Sequence, residues 1–190
     1  MKRWTMMLAL AIAAPAQADW TLDGAQSTLS FVSTKAINVA EVHRFGELSG
    51  SITADGQVVI AIGLASVDTG IEIRDERMRE MLFQTGDYGL ATVSARVDPA
   101  EIERLHAGDS RRMVVEANLM LHGVSRPLPI ELIVARSGES RLIVTSAKPV
   151  VVNAPEFDLG AGVEALREIA GLPSISLAVP VSFVLTFDAG

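Results

Sequence analysis

The chain has 190 residues, with 16 Lys+Arg against 23 Asp+Glu, a formal net charge of -7 and no cysteine. Such an acidic surface, with no basic cluster to offset it, disfavours nucleic acid and anionic lipid headgroups. The lack of cysteine excludes disulfides, thiolate catalysis and cysteine-based metal sites.

The first segment reads as an export signal. Lys2 and Arg3 precede an apolar stretch over residues 6–14, and Ala16-Gln17-Ala18 stands ahead of Asp19. A basic start, a short apolar middle and a small-x-small exit make a cleavable secretory leader, too short to span a bilayer. Residues 1–18 are therefore expected to be removed and residues 19–190 to work in the periplasm as one domain. Losing Lys2 and Arg3 leaves 14 basic against 23 acidic residues, a mature net charge of -9. No later run reaches eighteen apolar residues, so no membrane anchor is expected in the mature chain.

Beyond Asp19 the apolar pattern has a period of two, the signature of strands with one buried face. Leu29 and Phe31 alternate with Thr28 and Ser30, and Leu48, Gly50 and Ile52 with Glu47, Ser49 and Ser51. Ala54-Asp55-Gly56 is a hairpin turn into the apolar run 58–64. Further strands are predicted over 91–97, 112–121, 128–135, 141–146 and 177–187. Helical pieces interrupt them near 75–82, 99–106 and 162–170. The first has Asp75 as its cap and Met78, Met81 and Leu82 on one side; the second opens on Asp98-Pro99. Many short strands joined by turns indicate an all-β antiparallel sandwich or barrel.

Motifs for chemistry are sparse. His43, His106 and His122 form no H-E-x-x-H or H-x-H pair, so no metal or cofactor site is expected. No G-x-S-x-G is present. The sharpest catalytic pattern is Val67-Asp68-Thr69-Gly70, which resembles the aspartic-protease signature. One copy in a chain this size would suit a dimeric acid protease in which two carboxylates share a proton. Against it, Ile71 occupies a position where that family has a small residue, and Asp68 has a simple alternative role in turning the chain at a strand end.

The ordered set of motifs resembles the polyisoprenoid-binding YceI-like family. Its carriers are Trp20-Thr21-Leu22-Asp23 with Ser27-Thr28-Leu29-Ser30-Phe31, then Phe45-Gly46-Glu47-Leu48-Ser49-Gly50. Asp68-Thr69-Gly70 follows with Arg74-Asp75, Met78, Leu82-Phe83 and Ala91-Thr92-Val93-Ser94-Ala95. Last come Leu119-Met120-Leu121-His122-Gly123-Val124 before Arg126-Pro127-Leu128, and Phe157-Asp158-Leu159-Gly160. Two departures are that Tyr88 is followed by Gly89 where the family has Pro, and that residues 37–44 read as a longer, more polar loop.

The resemblance implies a lipocalin-like antiparallel β-barrel of about eight strands. It also implies a non-enzymatic periplasmic carrier for an isoprenoid or similar long-chain lipid, a quinone among the candidates. A homodimer is left open. Aromatics are 5% of the chain and hydrophobic residues 49%, so inward faces of Val, Ile, Leu and Ala leave more room than aromatic ones. The lining expected from strand alternation and the amphipathic turn is Phe31, Phe45, Ile60, Ile62, Met78, Met81, Leu82, Phe83, Val93, Met120, Ile133 and Phe183. Candidates for a headgroup at the rim are His43, Arg44, Arg74 and Asp75.

Overall fold

The structure, a computed structural model, describes residues 18–190; residues 1–17 of the expected leader lie outside the described residues. The predicted fold class holds. Among the described residues, twelve strands merge end to end into eight antiparallel staves of a closed barrel.

The first stave is β1 (Ala18–Leu22) and β2 (Thr28–Lys35), separated by a 3-10 turn over Gly24–Gln26. Asp23 caps that turn by accepting from the amides of Ala25 and Gln26. The second stave is β3 (Val39–Phe45) with β4 (Leu48–Thr53), and the third is β5 (Gln57–Gly63) with β6 (Val67–Asp68). Single strands follow: β7 (Leu90–Arg96), β8 (Ser110–Leu121) and β9 (Val124–Arg136). The seventh stave is β10 (Arg141–Ser146) with β11 (Val150–Asn153), and the last is β12 (Ala178–Ala189). Each stave pairs with the next. β12 returns to the first, placing Phe183 opposite Leu29 and Phe187 opposite Leu22.

One expected loop is a strand. Residues 37–44 belong mostly to β3, paired along β2 with Phe31 opposite His43 and Lys35 opposite Val39. The hairpin turn places Ala36 at φ 49° and Ile37 at φ 73°. The loop is three residues long, 36–38, and Ala and Ile take up left-handed conformations that Gly and Asn usually supply, so the usual turn signal is missing.

Among the described residues, three α-helices complete the fold. α1 (Glu72–Arg77) runs on into a π-helical turn over Met78–Leu82. It starts earlier than expected: Ile71 is at its N-cap and Asp75 lies inside it, so Asp75 is not the cap. α2 (Pro99–Glu103) opens as predicted, with the Asp98 carboxylate accepting from the Ala100 amide. α3 (Gly160–Ile169) crosses the π turn so closely that a Cβ on Gly162 would lie 2.9 Å from Leu82 Cα and from the Met81 carbonyl oxygen. The core runs up the barrel axis, with Ile102 of α2 entering it at one end and Met78, Leu82 and Val163 at the other.

Candidate functional site: an apolar tunnel with a polar collar

Alternation along each strand sends every second side chain inward. The inward set leaves two cavities in the barrel, of about 120 Å³ and about 170 Å³. Leu29, Ile62, Val93, Ile130 and Phe183 border both, so the cavities are successive chambers of one tunnel with these residues at its waist. All lining side chains are aliphatic, aromatic or methionine. A space of this chemistry offers water no partners and suits an apolar guest.

Of the expected lining, Phe31, Phe45, Met78, Leu82 and Phe83 border the larger chamber and Ile60 the smaller, while Ile62, Val93 and Phe183 border both. Phe31, Phe45 and Phe83 form a chain of tilted rings, with centroids 5.3 and 5.7 Å apart. Three residues are corrected. Met120 is 48% exposed and faces solvent, because Leu119 and Leu121 take the inward positions. Ile133 likewise lies between inward Leu132 and Val134. Met81 is half-buried and borders neither chamber. Sequence reasoning passed over Leu119, Leu121, Val179 and Val181, which the same alternation contains, and Leu159 and Val163 from the α3 region, which a period of two cannot reveal.

Beyond Phe31 and Phe45 the inner face of β2 and β3 turns polar. His43 is the cross-strand partner of Phe31, with ring centroids 5.3 Å apart. Its Nε2 meets Ser33 Oγ at 2.9 Å. Glu41, one inward position further, accepts from Lys35 Nζ at 2.8 Å and from Arg74 Nη1 at 2.6 Å. Hydrogen bonding from Lys35 is the main reason the Glu41 carboxyl is held below its ordinary pKa. Burial, aided by Arg74, pushes the His43 imidazole down, so it is neutral at pH 7. Its Nδ1 is buried without a hydrogen-bond partner.

The other rim candidates are engaged elsewhere. Arg74 also donates to the Thr69 carbonyl and hydroxyl, and the buried Asp75 accepts from Thr69. Arg44 alternates outward from His43 and donates from Nε and Nη2 to Asp68 Oδ2, at 2.9 and 2.7 Å. Asp68 Oδ1 accepts from the Gly70 amide, where φ of +74° makes the turn. The Arg44 hydrogen bond holds the Asp68 carboxyl below its usual range. Asp-Thr-Gly here closes a strand end and carries an ion pair with Arg44. Among the described residues, no group of three His, Asp or Glu side chains is placed to hold a metal ion.

The chain matches the YceI-like domain over residues 20–187. It belongs to the YceI-like family. A solved relative, a polyisoprenoid binding domain from Saccharophagus degradans implicated in plant cell wall breakdown, is 41% identical. The likeness covers 92% of this chain and 100% of that one, with a TM-score of 0.90. BcnA of Burkholderia cenocepacia shares the fold at 22% identity, a TM-score of 0.68, and 87% and 98% coverage. UPF0312 proteins of Shewanella oneidensis and Shewanella putrefaciens are 29% and 30% identical over 60% and 64% of this chain. Those matches span 61% and 65% of the relatives' own lengths, just under two thirds.

Proposed function

We propose that this YceI-like domain is a carrier that holds a long isoprenoid lipid, a polyprenyl chain or a prenylated quinone, in its barrel without transforming it. The observation that carries the reading is the two-chambered tunnel with a wholly apolar wall. The 41% identical relative, a polyisoprenoid binding domain, supports the same ligand class. Burying one CH₂ is worth about 0.8 kcal/mol, so each five-carbon unit contributes roughly 3–4 kcal/mol. Such a tail needs few polar contacts, and the polar groups near the tunnel are arranged as ion pairs and hydrogen bonds instead of a nucleophile with its base.

The leader pattern of residues 1–18 supports export to the periplasm, with the mature chain beginning at Asp19. Among the described residues no helix is long and apolar enough to cross a membrane. N-terminal sequencing of the protein from a periplasmic extract should begin at Asp19. The test of function is native mass spectrometry of protein purified from its own host without detergent. An added mass of isoprenoid lipid is expected. Recovery of ligand-free protein that also takes up no added polyprenyl lipid would overturn the reading.

A further inference from the structure

Large apolar side chains are spread unevenly over the two ends of the barrel. At the α2 end, the turns over residues 54–56, 98–109 and 137–140 carry Asp55, Asp98, Glu101, Glu103, Asp109 and Glu139, and among the described residues none of the exposed large hydrophobics lies in them. The α1 end is the reverse. Ile37 at the tip of the β2–β3 hairpin is 88% exposed, and Val39 and Val42 stand exposed behind it. The Arg74–Glu41 ion pair holds the first turn of α1 against this hairpin, and Ile71 and Ile73, next to Arg74 in the chain, are exposed too. α1 runs on into the π turn, whose Met78 and Leu82 border the larger chamber. The apolar surface and the tunnel therefore share an end.

Ile37 costs the fold on two counts. Its branched side chain gains nothing from burial, and its φ of 73° is a left-handed conformation that β-branched residues avoid. Gly or Asn would fill the position with less strain. The tip is nevertheless held in place. The Ala36 amide donates to the Ser174 carbonyl at 3.0 Å, the Ile37 amide to the Ser174 hydroxyl at 3.3 Å, and the Asn38 amide to the Ala36 carbonyl at 3.0 Å. An exposed, strained isoleucine on a fixed tip is accounted for by a contact outside the molecule.

We propose that the α1 end docks on a zwitterionic phospholipid bilayer, with Ile37, Val39 and Val42 entering its interface. The inference rests on the isoprenoid-carrier reading, because a polyisoprenoid resides in a bilayer and has to be collected from one. Charge decides the kind of bilayer. Residues 36–40 are Ala-Ile-Asn-Val-Ala, without a charge. The adjoining cations Lys35 and Arg74 are engaged by Glu41, and α1 exposes Glu72 and Glu76 beside them. This pattern disfavours anionic headgroups, whereas an uncharged apolar tip gains from burial among neutral ones. Val42 stands three residues from Val39, about 10 Å along the strand. That is within the roughly 5–10 Å to which such surfaces enter a membrane.

Flotation with phosphatidylcholine vesicles free of isoprenoid measures docking alone. It compares wild type with Ile37→Asn and with Val114→Thr, a change at an exposed valine on the barrel wall nearer the α2 end. Wild type should float with the vesicles, and less so once phosphatidylglycerol is added. Ile37→Asn should partition roughly tenfold more weakly, the order of one branched aliphatic side chain left in water. Its melting temperature should hold or rise, because Asn tolerates the left-handed turn. Val114→Thr should float as wild type does. No flotation of wild type, undiminished flotation of Ile37→Asn, an equal loss in Val114→Thr, or tighter binding to phosphatidylglycerol vesicles would each overturn the proposal. So would a wild-type dimer in sedimentation velocity that Ile37→Asn turns into a monomer, since the surface would then belong to a second copy. Should Ile37→Asn not fold, Val42→Thr replaces it; a smaller loss is expected, and wild-type flotation would overturn the proposal. Docking without polyprenol transfer between vesicles would sink the carrier reading alone. Transfer by Ile37→Asn at the wild-type rate would sink the docking proposal alone.

Discussion

Asp75 receives both the backbone amide and the hydroxyl of Thr69, at 2.9 and 2.5 Å, from within α1. The two residues lie on either side of the Gly70 turn, so the carboxylate ties the end of β6 to the helix that follows it. Asp75 is only 5% exposed, and its loss leaves the half-buried amide and hydroxyl of Thr69 without this acceptor. Asp75→Ala should destabilise the fold by about 1–3 kcal/mol. Asp75→Asn, which keeps an acceptor oxygen, should cost less. Chemical denaturation followed by far-UV circular dichroism measures both, and equal losses would show that the acceptor is not what matters.

The waist of the tunnel sets how much tail is enclosed. Val93 borders both chambers and lies opposite Ile60 on β5 and Leu119 on β8. Val93→Phe adds a ring at this constriction. Each five-carbon unit kept out of the further chamber forfeits roughly 3–4 kcal/mol. Affinity of the variant should therefore stop rising at a shorter tail than it does in wild type. A series of polyprenols of increasing length tests this, and parallel length dependences would mean that the tail does not pass Val93.

How much of this was legible in the sequence depended on whether a strand carried contrast between its faces. In β12, apolar residues at 179, 181, 183, 185 and 187 fixed the inward side. In β8 and β9 the contrast fails. Leu119-Met120-Leu121 is apolar at every position, as is Leu132-Ile133-Val134, so flexible Met120 and Ile133 read as lining while the pleat turned them outward. A slip of one residue reverses a face. The β3 hairpin escaped notice for a different reason, since Ala36 and Ile37 adopt positive φ without the residues that normally announce it. The collar was the least legible feature. The pairing of Glu41 with Arg74 joins positions 33 apart in sequence, and no local pattern links them.

Stability should report on His43 through pH. Burial comes first among the causes that lower its pKa from the ordinary 6.5, followed by Arg74; Glu41 opposes them, Lys35 adds a little, and Asp75 opposes. The folded protein thus binds fewer protons than the unfolded chain between the depressed value and 6.5. The His43 contribution is complete above that value and is lost as pH falls through the folded pKa. Glu41 titrates below its ordinary 4.5 and so acts at lower pH. Melting temperature should fall from about pH 7.5 to about pH 5.5 more steeply in wild type than in His43→Phe. Identical slopes would contradict the assignment of this window to His43.

A close backbone approach lies at the end of the barrel where α3 crosses the π turn. A side chain at 162 would bring its Cβ to 2.9 Å from Leu82 Cα and the Met81 carbonyl oxygen, both backbone atoms that cannot swing aside. Val163 on α3 and Met78 and Leu82 on the π turn border the larger chamber, so this crossing closes that end over its contents. Gly162→Val must lift α3 away from the π turn, with an overpacking cost of about 1–3 kcal/mol. The strand pairings do not involve α3, so the β signature in far-UV circular dichroism should persist while the melting temperature drops. Exchange of a bound polyprenol into acceptor vesicles should also speed up, because the seal over the chamber is loosened. A variant that loses stability yet exchanges its ligand at the wild-type rate would place the exit elsewhere on the barrel.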